Sequence, residues 1–224
     1  MIMNRQPISI LYLEKPMRYG RYVRYTELLR RSRRENLVFC QHYPVVTMGV
    51  QTQASSLLLS AEDFARNAVD IVAVKRGGDA TAHEPGQIVI YPHIDLRSRK
   101  IPLSDFVKAM LDITSESLDS VFGLKLRPDA KAPGLYTDDG EKVVSSGLEI
   151  RSGFSSSGVA VNYSNELQTF SFIHPCGHPG LRMQSVLQLT GQAEKKHDPE
   201  TDAKKKEFCR IWAERFIQSF SLYS

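Results

Sequence analysis

The period of the hydrophobic positions changes along this chain, and each change marks an element. Over residues 19–35, Tyr22, Leu28 and Leu29 recur at helical spacing. They predict a helix with these side chains turned partly inward, closed by Arg30-Arg31-Ser32-Arg33-Arg34, where cations complement the helix dipole. Residues 36–40 and 44–48 are short apolar runs either side of His42-Tyr43 and read as strands, and Ser60-Ala61-Glu62-Asp63 reads as a helix start. Two β-branched runs, 71–74 and 88–91, bracket a loop with three glycines and a proline, which is expected to join two buried strands.

Over residues 102–122, Leu103, Phe106, Val107, Met110, Thr114, Leu118 and Val121 fall at three- and four-residue spacings, the clearest amphipathic helix of the chain, and Gly123 stops it. Asp139-Gly140 predicts a hairpin turn. On the returning strand, alternation puts Glu141, Val143, Ser145, Glu149 and Arg151 on one face and Lys142, Val144, Ser146, Leu148 and Ile150 on the other, unless a bulge at Gly147 breaks the parity. Phe208, Ile211, Trp212 and Phe216 predict a final helix.

A chain of 224 residues with 42% hydrophobic content can bury a sizeable core, and no linker-like composition interrupts it, so one domain over 1–224 is expected. The apolar run 8–13 is too short for a signal-peptide core or a membrane span, which predicts a soluble cytoplasmic protein that does not enter a membrane. Net charge is only +4, yet Arg5, Lys15, Arg18, Arg21, Arg24, Arg30, Arg31, Arg33 and Arg34 face only Glu14 and Glu27 in the same stretch. This basic face suits either an acidic partner or a solvated helix end. Nucleic acid is not the expected partner, because no aromatic platform interleaves the arginines.

Three places carry candidate chemistry. The loop over residues 75–87 reads as a substrate cradle, since its glycines let backbone N–H groups approach a ligand; a plain strand connection is the lesser alternative. The cradle is the favoured reading of the two, although the loop lacks the Gly-Lys-Ser/Thr ending of a Walker motif. Lys142 falls with the apolar set, and an inward lysine is costly unless neutral, paired or able to snorkel. The cysteines at 40, 176 and 209 are odd in number and scattered, so no disulfide framework is expected. Cys40 lies in a strand and Cys209 in the final helix, where a thiol packs. Cys176 stands in a loop held by Pro175, Gly177, Pro179 and Gly180, where a thiol reacts. His174, Cys176 and His178 lack a standard zinc spacing. Lys195-Lys196 and Lys204-Lys205-Lys206 read as solvated.

In that order and at similar spacing, the Arg76-Gly77-Gly78 loop ending in Thr81-Ala82-His83-Glu84-Pro85-Gly86-Gln87, the Pro133-Gly134 strand followed by Lys142, and the Pro175-Cys176-Gly177 loop resemble the lipoyl(octanoyl) transferases of lipoate biosynthesis. The resemblance covers roughly residues 44–186. It implies an α/β (α+β) fold shared with biotin and lipoate ligases, a mixed sheet flanked by helices, and neither metal nor nucleotide cofactor. It further implies transfer of an octanoyl group from acyl carrier protein to a lysine of a lipoyl domain, in 2-oxoacid dehydrogenases or the glycine cleavage H protein. Cys176 would be the nucleophile and Lys142 its partner. Arg76, Gly77, Gly78, Asp79, Ala80, Thr81, Ala82 and His83, with Ser145, Ser146, Gly147, Gly158, Val159 and Ala160, would form the acyl-binding wall, and their backbone N–H groups would hold the oxyanion.

The chemistry agrees with the resemblance. A cysteine thiolate takes over an acyl thioester at little thermodynamic cost and then passes it irreversibly to an amine. A cation beside a thiol raises its thiolate fraction, and the same amine can later accept a proton from the incoming lysine. The chain departs from the usual pattern at Ala82 (tyrosine), Glu84 (glycine), Asp79 (glutamine) and Ser157-Gly158 (His-Gly). Glu84 beside His83 is expected to shift that imidazole toward its charged form. Two other readings stay open: an ATP-dependent lipoate or biotin ligase, which would need an adenylate-binding lysine but not Cys176, and a non-catalytic protein that binds an acyl carrier.

Overall fold

The computed structural model describes residues 7–129, 132–196 and 198–221. In chain order its strands are β1 (Ser9–Tyr12), β2 (Asn36–Cys40), β3 (Val45–Met48), β4 (Asp70–Ala73), β5 (Thr81–His83), β6 (Gln87–His93), β7 (Arg127–Pro128), β8 (Gly134–Tyr136), β9 (Lys142–Arg151) and β10 (Phe154–Asn162). The helices are α1 (Tyr19–Ser32), α2 (Ala61–Arg66), α3 (Leu96–Arg99), α4 (Leu103–Phe122), α5 (Val186–Leu189) and α6 (Pro199–Ser221). Seven strands form one sheet in the order β1-β2-β6-β10-β9-β8-β7, and β4-β3-β5 form a second. Pairs β1/β2 and β3/β4 are parallel, whereas β6 and β9 flank β10 antiparallel.

Period-2 alternation divides the larger sheet into two faces. Leu37, Phe39, Ile88, Ile90, Val159 and Val161 meet α4 and α6 on one face, where Phe106 lies edge-on to Phe216 and Trp212 Nε1 donates to Thr114 Oγ1 at 2.8 Å. Val38, Cys40, Val89, Tyr91 and Ala160 take the other, beneath Tyr19 and Tyr22 of α1. A third cluster, with Val46, Phe64, Ala80, Ala82, Phe170 and Ile173, gathers around the small sheet and α2. The helix ends follow their predicted chemistry. Ser60 Oγ accepts from Asp63 N at 3.2 Å, and Gly123 closes α4 at φ 66°.

Several expectations fail here for identifiable reasons. The inward stripe of α1 is Tyr19, Tyr22, Thr26 and Leu29, so Leu28, about 100° round the helix from Leu29, is 64% exposed. Leu103, at the first position of α4, is half exposed. The loop over 75–87 does not join two buried strands: β4 is half exposed in the small sheet, and the loop itself contributes β5 before entering β6. Val143 and Val144 are both fully buried, because this part of β9 is covered on both faces. Gly147 makes no bulge, since it pairs in register with Gly158; the register shift lies between Leu135 and Tyr136, opposite Lys142.

Candidate active site

Lys142 begins β9 after a turn in which Gly140 N bonds Thr137 O at 3.0 Å and Thr137 N bonds Glu141 O at 2.9 Å. Its main chain is clamped by the returning segment: Lys142 N donates to Arg182 O at 2.8 Å and Gln184 N donates to Lys142 O at 2.9 Å. The side chain is completely buried. Its amine donates to Pro133 O at 3.0 Å and Cys176 Sγ at 3.1 Å, and lies 5.1 Å from the Tyr136 ring centre. Gly134 makes room for this path, because a Cβ there would press on Lys142 Cε and Val144 O. A buried lysine needs such partners, and the thiol is one of them.

Cys176 occupies a single turn over Pro175–Gly177 and is itself left-handed, at φ 57°. Such a conformation costs a non-glycine residue of order 1 kcal/mol or more and persists where surrounding bonds enforce it. Here Cys176 N donates to Ala80 O at 2.9 Å, His174 N to Ser56 O at 2.8 Å and Gly177 N to His174 O at 2.9 Å. Cys176 is half-buried, whereas Cys40 and Cys209 are buried and burial pushes both thiols up, Cys209 to about 12. Among the described residues, His174, Cys176 and His178 form no cluster that could hold a metal ion.

Arg76 organises the facing loop. The residue is 7% exposed and its guanidinium gives every donor to a neutral oxygen: Nε and Nη2 to Thr47 Oγ1, Nη2 to Thr47 O at 2.7 Å, and Nη1 to Gly77 O and Asp79 O at 3.0 and 2.8 Å. Gly77 N bonds Leu148 O at 2.9 Å, tying the loop to β9. Ala80 N bonds Asp79 Oδ1 at 2.5 Å and Ser146 N bonds Pro133 O at 3.2 Å. These donors, and Cys176 N, are therefore already committed, and the expected oxyanion role does not fall to Gly77, Ala80 or Ser146.

A cavity of about 90 Å³ lies between these parts. Of the sequence-predicted residues it is lined by Cys176, Arg76, Gly78, Asp79, Thr81, His83, Ser145, Ser146, Gly147, Gly158, Val159 and Ala160. Gly77, Ala80 and Ala82 do not line it; Ala80 and Ala82 pack into the core of the small sheet. Lys142 stands behind the thiol. Sequence reasoning missed Tyr19, Gln51, Val89, Tyr91 and Ala132, and named Pro133 and Ser157 as motif positions without placing them in the wall. Val89 and Tyr91 were readable in principle, because they alternate with core-facing Ile88 and Ile90. Tyr19 comes from a helix far away in sequence.

The rear wall is uncharged. His42 Nδ1 lies 3.1 Å from Met17 O, an acceptor only, so it carries the proton and Nε2 accepts from Tyr91 OH at 2.9 Å. Burial pushes His42 down to about 4. His83 is driven to about 3 by burial and then by His42, against the raising effect of its 2.7 Å bond to Gln87. This reverses the expectation that Glu84 would favour the charged imidazole. Glu84 instead accepts from Asn165 Nδ2 at 3.0 Å, Leu167 N at 2.5 Å and Thr169 N at 2.9 Å, binding the segment 165–169. Ser157, left-handed at φ 63°, gives its N–H to Tyr22 OH at 2.8 Å.

A buried amine set against a loop thiol, over a cleft between two mixed sheets whose charged lining residues, among those described, are Arg76 and Asp79, sits on the frame of a lipoate-ligase-like catalytic domain. Solved structures share the frame. A lipoate-protein ligase A bound with ATP superposes with a TM-score of 0.73 at 19% identity, over 94% of this chain and 86% of that one. The bipartite lipoate protein ligase of Thermoplasma acidophilum, studied with its E2 lipoyl domain, gives 0.69 at 18% identity over 95% and 84%. At such identity the likeness is one of fold. The chain belongs to the lipoyl protein ligase A/B catalytic domain family, whose model matches residues 21–210. An octanoyltransferase of Leptospira borgpetersenii serovar Hardjo-bovis (strain JB197) is 38% identical over 184 residues, 81% of this chain and 84% of its relative.

Proposed function

We propose that this chain, acting in the cytoplasm, takes an octanoyl group from acyl carrier protein onto Cys176 and passes it to a lysine of a lipoyl domain, in a 2-oxoacid dehydrogenase or the glycine cleavage H protein. That the chain is an acyltransferase transferring octanoyl groups in protein lipoylation follows from its family and from octanoyltransferase relatives alike over most of both chains. The donor, the acceptor and the thioester route are the proposal. The observation that carries the route is the 3.1 Å contact between the buried Lys142 amine and Cys176 Sγ.

In the first half-reaction the thiolate attacks the donor's carbonyl carbon, a new C–S bond forms and the donor's breaks. The departing carrier thiolate takes a proton from the Lys142 ammonium, leaving a neutral amine. In the second, the acceptor amine attacks, the nitrogen proton passes to Lys142, and the Cys176 thiolate departs as the amide forms. The methylene and methyl groups of an octanoyl chain, at about 0.8 kcal/mol each when buried, supply roughly 5 to 6 kcal/mol of affinity before ordering costs. The uncharged rear wall suits them.

The ATP-dependent ligase reading shares the fold but gives Cys176 no task. Incubating the protein with octanoyl-acyl carrier protein in the absence of ATP and reading intact mass separates the two. The proposal expects one octanoyl adduct, absent from Cys176→Ser. An ATP requirement for any adduct would overturn it.

A further inference from the structure

Asp79 is the only carboxylate among the described residues that line the cavity. Its Oδ1 is taken by Ala80 N at 2.5 Å. Its Oδ2 lies against Gly177, the residue after the candidate nucleophile, so closely that a Cβ on Gly177 would collide with it. Among the described residues no donor or cation reaches Oδ2 within bonding distance. A half-buried carboxylate, oriented through one oxygen and with no protein donor among the described residues on the other, can receive a charged donor beside Cys176.

The second half-reaction supplies such a donor. A free lysine, with an ordinary pKa of about 10.4, arrives as an ammonium ion. It approaches a cleft that already holds the Arg76 guanidinium, whose hydrogen bonds all go to neutral oxygens. Entry of a second cation is opposed unless a negative group faces it. The proton balance makes the same demand. Converting an ammonium to an amide releases two protons. The neutral Lys142 amine left by the first half-reaction can take one. The other goes to solvent before attack, so the ammonium must be held near the thioester while it is lost.

We propose that Asp79 is the acceptor-binding residue of this site, its Oδ2 receiving the ammonium of the incoming lysine beside the Cys176 thioester. The inference rests on the thioester route proposed above. Once the amine is neutral it leaves the carboxylate and attacks the carbonyl carbon, and no group on Asp79 changes covalently.

The test separates the two half-reactions. Wild type and Asp79→Asn, which keeps an acceptor for Ala80 N, are acylated with octanoyl-acyl carrier protein, and the acyl-enzyme is isolated. It is then chased with either a lipoyl domain or hydroxylamine, a small nucleophile that is neutral at pH 7.5. Whatever its rate of acylation, the acyl-enzyme formed by Asp79→Asn should show a lipoyl-domain to hydroxylamine rate ratio lowered about tenfold, the scale of one charge-assisted bond. Asp79→Glu should recover part of that ratio. An unchanged ratio would overturn the inference, as would failure of Asp79→Asn to acylate where the wild type does, since the carboxylate would then serve the first step. If the wild type forms no acyl-enzyme, the proposed function itself fails and takes this inference with it, a result distinct from the other two.

Discussion

Lys142 and Cys176 face each other across 3.1 Å but are held by unlike regions. The lysine side is sheet: β9 pairs with β10 in register from Val144 onward, Val143 and Val144 are fully buried, and the amine is buried among them with Pro133 O as its main-chain acceptor. The cysteine side is a stack of loops, 49–51, 75–80, 165–169 and 174–180, held through hydrogen bonds between main-chain groups and a few buried charged side chains. The sheet can bury an amine because its own polar groups are already paired. The loops can present a strained, half-exposed sulfur because directional bonds, unlike packing, hold a residue at φ 57°. Each side should therefore fail in its own way.

The sharpest break is at the sulfur. Cys176→Ser should abolish transfer, a loss of at least about a thousandfold, while Cys40→Ser and Cys209→Ser change stability at most; intact mass after exposure to the donor reads all three. Equal loss of acylation in three folded variants would erase the distinction between the loop thiol and the packed ones. On the sheet side, Lys142→Ala should slow each half-reaction by about 10²–10⁴-fold, because the same amine is asked to donate and to accept a proton. Single-turnover rates of the two steps check this, and slowing of only one would confine the amine to that step.

Glu84→Ala attacks the loop side at a distance from the chemistry. It strands two main-chain donors, the half-buried Leu167 N and the buried Thr169 N, at about 1 kcal/mol each, while Asn165 Nδ2 keeps its bond to Asn162 Oδ1, so a loss of about 2 kcal/mol is expected in urea unfolding, with transfer falling as the 165–169 segment loosens. Acid attacks the opposite region. His42 and His93 are held down at about 4 and His83 at about 3, chiefly by burial, whereas the unfolded chain protonates near the ordinary value of about 6.5. Between those limits the unfolded state binds protons that the native state cannot. Stability should fall as pH drops from about 6.5 towards 4, at up to about 1.4 kcal/mol per pH unit for each histidine. Denaturation midpoints at a series of pH values measure the slope, and His83→Gln should reduce it.

The smallest effect belongs to the basic face of α1. Several of its arginines are paired: Arg30 and Arg31 with Glu27, Arg33 with Asp95 and Arg18 with Asp70. Arg34 is exposed, and Arg31 stays 77% exposed despite its pairing with Glu27, so these two are the candidates for steering an acidic carrier. Reversing both charges should lower kcat/KM with the protein donor about threefold at low salt and less at high salt, leaving a small octanoyl thioester unaffected. Equal loss on the small thioester would assign the arginines to the fold.

Periodicity and local chemistry alone determined much of this protein: α4 with its glycine cap, the hairpin before Lys142, and a thiol in a Pro/Gly loop against two in regular elements. Those features depend on neighbours within a few residues, which the sequence displays directly. The meeting of Lys142 with Cys176 was implied by resemblance, but its distance and the lysine's complete burial come from the tertiary structure. So do the arrival of Tyr19 and Tyr91 in the rear wall, the commitment of Glu84 to segment 165–169 rather than to His83, and the placing of Asp79 against Gly177. A period shows which side of a strand is apolar; it does not show which distant strand or loop comes to lie against it. Strand order and the packing between sheet and loops decide that, and here they decide which charges share the cleft.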